Sequence, residues 1–208
     1  MNKFYRGMKK LFGGLFKILF RVKIVNPEKE IKGLPYVVCC NHTSLFDVVV
    51  ISLSMETQVS YMAKKEVFKV PLLRHFVKAM GAFPVDRKKG DVAAIKKTIE
   101  VLKDGGCVGI FPQGTRCPRV DPATTRVKSG VGLIAARSGA DVLPVCVKSN
   151  VGAIKMFRKN YIIIGDLIKN EEFDFENNKG AESHQAAADR IHAEICKLYR
   201  ETDIKNAE

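Results

Sequence analysis

Apolar residues recur along this chain with two different periods. Over residues 1–25, Phe4, Met8, Leu11, Leu15, Ile18 and Val22 fall every three or four positions, the spacing of a helix face. Phe12, Phe16, Leu19 and Phe20 widen that stripe, and Gly13-Gly14 is expected to kink or split the helix. Beyond Pro27, short β-branched runs alternate with helical stretches. The runs at 35–40, 59–63, 81–85, 107–111, 142–147 and 161–164 predict strands. Residues 46–54, 71–80, 91–103, 129–138 and 186–199 predict helices, the third with Val92, Ile95, Ile99 and Leu102 on one side. Such alternation indicates an α/β fold, with a mostly parallel or mixed central sheet covered by helices on both faces. Two units follow: an amphipathic segment over 1–25 and an α/β domain over 26–208. No apolar run approaches the ~18 residues of a spanning helix.

Composition sharpens this picture in two respects. The chain has 208 residues, 46% of them hydrophobic and 27% charged, enough for one domain with a real core. Thirty-five Lys and Arg against 22 Asp and Glu give a net charge of +13, and the basic excess lies before residue 170. A body this basic suits an anionic partner: nucleic acid, a membrane surface or a phosphorylated substrate. Lys3, Arg6, Lys9, Lys10, Lys17, Arg21 and Lys23 flank the first stripe, with no acid among residues 1–25. That pairing of cations with phenylalanines suits a helix lying in the membrane interface, the alternative being packing on the protein's own core. Lys17 interrupts the stripe and no small-residue cleavage site follows, which argues against a signal peptide.

Six cysteines (Cys39, Cys40, Cys107, Cys117, Cys146 and Cys196) form no C-x-x-C pair, and most sit in strand-like runs. They read as buried thiols in a reducing compartment, not as zinc ligands or disulfides. The acidic stretch after Lys169 reads as a solvated loop followed by a surface helix.

In sheets of this class, ligands collect beyond the carboxyl ends of the strands, and the polar clusters fall there. The first is Asn41-His42-Thr43-Ser44-Leu45-Phe46-Asp47. Five residues cannot share one helix face, but a tight turn into a helix lets Asp47 fold back onto one ring nitrogen of His42. The other nitrogen is then free to act as a base, although an ordinary turn would carry the same residues. The second cluster, Phe111-Pro112-Gln113-Gly114-Thr115-Arg116, offers a guanidinium beside a glycine turn, a phosphate clamp or an exposed loop. The third, Gly81 to Arg87, presents another basic residue at a strand end. A fourth, Val142 to Val147, reads only as a buried strand. His75, His184 and His192 lie in helical patterns and read as surface or packing residues.

Taken in this order, the four clusters resemble the glycerolipid acyltransferase family. Its N-H-x-S-x-x-D block is matched by Asn41, His42, Ser44 and Asp47, and its G-x-x-x-x-D-R-like block by Gly81, Asp86 and Arg87. F-P-E-G-T-R is matched at all positions but Gln113, and the proline-centred strand by Pro144. Ala63-Lys64 and Lys128-Ser129-Gly130 are also similar to the family, so that the likeness runs over residues 35–168. The resemblance implies an O-acyltransferase that moves an acyl group from acyl-coenzyme A or acyl-acyl carrier protein to the sn-2 hydroxyl of 1-acylglycerol-3-phosphate, giving phosphatidic acid. It makes His42 the general base and Asp47 its orienting partner. Arg116, Arg87 and Lys64, with Gln113, Gly114 and Thr115, would hold the acceptor and its phosphate. No metal or tightly bound cofactor is implied.

The same resemblance places the protein peripherally on the cytoplasmic face of the cell membrane, against anionic phospholipid. Other acceptors of the same reaction, glycerol-3-phosphate or another lysophospholipid, are the alternative, and a non-catalytic membrane-binding protein is a second. Gln113 keeps the size of the family's glutamate and loses its charge. Cys117 stands where serine is common. Ser44 lies in no G-x-S-x-G elbow, against a serine hydrolase. Without a P-loop, zinc spacing or an aromatic-basic signature, nucleic acid is not an expected partner.

Overall fold

A computed structural model describes residues 3–85 and 91–203, without the side chains of Lys3, Phe4, Lys64, Leu72, Leu73, Phe76, Ala79 and Asp91. In chain order the elements are α1 (Lys3–Leu19), β1 (Val22–Val25), β2 (Tyr36–Cys40), α2 (Asp47–Ser54), β3 (Val59–Lys64), α3 (Pro71–Ala79) and β4 (Phe83–Val85). Then follow α4 (Asp91–Lys103), β5 (Cys107–Ile110), α5 (Gly130–Ser138), β6 (Asp141–Ser149), β7 (Asn160–Ile164) and α6 (Ala181–Glu201).

The strands form one seven-stranded sheet in the order β1-β7-β6-β2-β5-β3-β4. From β6 to β4 every pairing is parallel, while β7 runs antiparallel to β6 and β1 follows β7 in parallel. The sheet is therefore mixed, with a five-stranded parallel centre whose carboxyl ends share one edge. β2 sits in the middle of it and is buried along its whole length. This is why residues 36–40 read as one continuous apolar run rather than an alternating one.

Strand alternation divides the core between the two faces. Val37 and Cys39 join Val108, Ile134, Ala135, Ala188, Ile191 and Ile195 on the face covered by α4, α5 and α6. Tyr36, Val38 and Cys40 join Phe20, Val50, Ile51 and Met55 on the face covered by α1 and α2. The acidic tail thus supplies a packed helix, α6, whose inner face is Ala188, Ile191 and Ile195.

The amino-terminal segment differs from the expectation in three ways. α1 continues unbroken through Gly13-Gly14, so the pair does not split it, and Gly13 is buried; packing of α1 outweighs the weak helix propensity of the pair. Residues 22–25 are not helical. They form β1, the edge strand on β7, so the boundary drawn at residue 25 falls after the sheet has begun. Finally, the single wide stripe is two faces. Tyr5 and Phe20 are fully buried, the Tyr5 hydroxyl donating to the carbonyl of Ser52 in α2. Leu11, Leu15 and Ile18 point outward, exposed by 72%, 50% and 74%.

Candidate active site

β2 ends at Cys40, and the next residue, Asn41, closes the ladder with its side chain. Its amide donates to the Val147 carbonyl at 2.9 Å and accepts from the Val147 N–H at 2.8 Å, pairing with β6 as a peptide would. That pins the point at which the chain leaves the sheet. His42 follows, the chain turns through Thr43–Phe46, and α2 begins at Asp47.

The turn brings Asp47 back onto His42. Nδ1 of His42 lies 2.8 Å from Oδ2 of Asp47. The carboxylate is fully buried and takes three further hydrogen bonds, from the backbone N–H groups of Thr43 (2.5 Å) and Ser44 (2.8 Å) and from the Thr43 hydroxyl (3.0 Å). Charge-assisted bonds of this kind, at the start of a helix, offset the desolvation of a buried anion. Because the carboxylate accepts, Nδ1 carries the hydrogen and Nε2 carries the lone pair. Nε2 has no partner among the described residues. Ser44 has a local role: besides its bond to Asp47, its hydroxyl accepts from the Phe46 N–H.

The loop after β5 frames His42 from the other side. The ring of Phe111 stacks on the imidazole at 4.0 Å between centroids, 16° from parallel, and Tyr61 stacks on Phe111 at 5.8 Å. The backbone of His42 is held at both ends. Its N–H donates to Oε1 of Gln113 at 2.7 Å, and its carbonyl accepts from the Cys117 N–H at 2.7 Å. Gln113 is buried and its Nε2 donates to the Thr125 hydroxyl at 3.0 Å. Both ends of this amide are thus engaged within the protein.

Gly114 has φ +69°, the left-handed region that favours glycine. A β-carbon there would stand 3.0 Å from Cε of Lys128, so the Lys128 side chain lies across the turn. Thr115 and Arg116 are exposed, and Arg116 directly precedes the residue paired with His42. Lys64 ends β3 and pairs with Val85 of β4, at the same sheet edge as His42. Its side chain, and the whole of Asp86 and Arg87, lie outside the described residues.

Beside the loop, a cleft of about 580 Å³ opens between α4 and α5. Ala94, Ile95, Ile110, Val131 and Ile134 make its apolar walls, and Phe111, Gly114 and Lys128 its rim. Phe111 touches both this cleft and the His42 ring. The site therefore unites an imidazole with a fixed tautomer, cations on a glycine turn and an apolar trough, which together suit proton abstraction next to an acyl chain. Thr43, Phe111 and Thr125 belong to it and were not singled out as site residues from the sequence. The four flanking donors of Asp47 could be sought in any N-H-x-S-x-x-D turn, but Thr125 carries no local signal.

Comparison with known proteins points the same way. The acyltransferase family matches residues 21–148 of the chain. The 1-acyl-sn-glycerol-3-phosphate acyltransferase of Bacillus subtilis is 31% identical over 185 residues, which is 88% of this chain and 90% of that protein. The enzyme of the same name from Streptococcus pneumoniae is 28% identical over 184 residues, 86% of this chain and 64% of its own length. Among solved structures, the 1-acyl-sn-glycerophosphate (LPA) acyltransferase of Thermotoga maritima superposes with a TM-score of 0.70 over 95% of this chain and 81% of that one. At 23% identity, that likeness concerns the fold.

Proposed function

The chain belongs to the acyltransferase family, and we propose that it transfers a fatty acyl group from a thioester donor to the free sn-2 hydroxyl of 1-acylglycerol-3-phosphate. His42 Nε2 takes the proton of that hydroxyl as the oxygen attacks the thioester carbonyl. The tetrahedral intermediate then expels the thiolate, which recovers the proton from the imidazolium. Asp47 holds the imidazole in the required tautomer and stabilises its charged form. No acyl-enzyme is needed, since the acceptor oxygen is itself the nucleophile. The 2.8 Å pair between His42 Nδ1 and a fully buried carboxylate carries this assignment.

Several features support the substrate class. The apolar cleft beside Phe111 suits the acyl chain, and Lys128 on its rim, with the exposed Arg116 two residues past Gly114, suits a phosphate. The acceptor is supported by the relatives from Bacillus subtilis and Streptococcus pneumoniae, both 1-acyl-sn-glycerol-3-phosphate acyltransferases. Acyl-coenzyme A and acyl-acyl carrier protein both fit the basic body as donors. No helix among the described residues is long and apolar enough to cross a membrane. The outward Leu11, Leu15 and Ile18, flanked by Lys10, Lys17 and Arg21, suit a peripheral protein lying on the anionic cytoplasmic leaflet.

The test is direct. Purified protein is incubated with a panel of lysolipids and glycerol-3-phosphate, each with both donor types, and the products are identified by mass. Phosphatidic acid formed by the wild type and lost in His42→Ala is the expected result. Equal turnover by the two proteins would remove His42 as the base, and product from another acceptor alone would reassign the substrate.

A further inference from the structure

We infer that Gln113 is a positioning residue for His42, acting through a one-way hydrogen-bond relay that ends at Pro122. The direction of the relay follows from its first member. A backbone N–H can only donate, so the His42 N–H at 2.7 Å fixes Oε1 as the near end of the Gln113 amide. The far end is then Nε2, which can only donate, so the Thr125 hydroxyl at 3.0 Å accepts from it. The single proton of that hydroxyl must go elsewhere, and it goes to the Pro122 carbonyl at 2.6 Å. The same carbonyl takes the Thr125 N–H at 3.0 Å and lies 2.9 Å from Nε2 of His192 on α6. The relay thus ties the catalytic turn to the 3-10 turn Pro122–Thr124 and to the face of the domain opposite α2.

An amide and a carboxylate act differently at position 113. Either one accepts from His42, so the catalytic turn is held in both cases. Only the amide can donate to Thr125, which leaves the hydroxyl proton free for Pro122. A carboxylate would draw that proton to itself and turn the hydroxyl away from Pro122. Either side chain stays anchored on Thr125 and so holds His42, while the amide alone also passes the link on to Pro122. The relay holds the main chain from which the imidazole projects, and errors of about 1 Å in such placement cost on the order of 10² in rate.

This inference rests on His42 being the base, so one of its two readouts needs no substrate. Hydrogen exchange at the His42 amide, followed by NMR, is compared in wild type, Gln113→Leu, Gln113→Glu, Thr125→Val and Thr125→Ser. Loss of the relay is expected to speed exchange about tenfold in Gln113→Leu and Thr125→Val, with recovery in Gln113→Glu and Thr125→Ser. In the acyl-transfer assay the first two are expected to lose about tenfold or more in kcat, with KM for the lysolipid within about twofold, and the second two to regain most of it. Unchanged exchange at His42 in Thr125→Val would overturn the relay, whatever the turnover. So would a Gln113→Leu protein in which KM alone rises, since that is the mark of a residue touching the acceptor. Altered exchange in a protein that transfers no acyl group would uphold the relay and overturn the function proposed above. Should Gln113→Leu fail to fold, the Thr125 pair carries the test.

Discussion

Tyr61 lies so close over Gly109 that a β-carbon on the glycine would stand 2.1 Å from the ring. The two residues face each other across β3 and β5, and the same tyrosine ring stacks on Phe111, which stacks on His42. The absence of one side chain thus sets the height of an aromatic column that ends on the imidazole. Gly109→Ala is expected to lower stability by about 1–3 kcal/mol through overpacking and to depress kcat by displacing Phe111. Urea melts and steady-state kinetics check both, and an unchanged unfolding midpoint would show that the column has slack.

His42 and Asp47 should separate rate from stability. His42→Ala is expected to reduce kcat by roughly 10²–10⁴ with little change in melting temperature, because the ring is partly solvated, at 17% exposure. Asp47→Asn is expected to lose both. The buried carboxylate accepts four hydrogen bonds, and an amide must turn its own donors toward some of those donors, at roughly 1–3 kcal/mol. A fully stable Asp47→Asn protein would contradict the account of that carboxylate.

The two faces of α1 should respond to different assays. Replacing Leu11 and Ile18 by aspartate alters only exposed positions, so the melting temperature should hold while co-sedimentation with anionic vesicles falls. Phe20→Ala empties a fully buried site, and about 3–5 kcal/mol of stability should go with it. Vesicle binding that survives the double aspartate variant would move the contact off this helix.

Thiol chemistry offers an independent check on burial. Desolvation pushes the Cys39, Cys40 and Cys146 thiols well up and the Cys107 thiol to about 11. A raised thiol pKa leaves less thiolate at pH 8, hence slower alkylation. Cys117 is the one cysteine of the six that is not buried. Mass spectrometry after brief iodoacetamide treatment should find Cys117 modified first, with inhibition that Cys117→Ser removes. Early labelling of Cys39 or Cys40 would mean that β2 opens readily.

Much of this arrangement could be read in the residues themselves. The strands at 36–40 and 107–110 sit at the sheet centre, so their apolar runs had no other use, and the α4 stripe gave that helix its correct bounds. The His42–Asp47 pair was legible because the turn and its carboxylate are local. Where partners are distant, the sequence was silent. Nothing near Gln113 in the chain announces that its amide bonds both the His42 N–H and the Thr125 hydroxyl. The apolar residues of α1 form one continuous half of its circumference, so spacing could not tell the buried Tyr5 and Phe20 from the outward Leu11 and Ile18. Val22 continued the helical spacing, and only its pairing with Asn160, far along the chain, makes it a strand residue.

That last pairing sets an order of events during synthesis. β1 has β7 as its neighbour in the sheet, so Val22–Val25 waits for residues 160–163 to leave the ribosome. At about 5–20 residues per second, the wait is on the order of ten seconds. Throughout it, the half-apolar, cationic residues 3–19 are already outside the ribosome beside an unfinished domain, before the turn carrying His42 has its whole sheet to stand on.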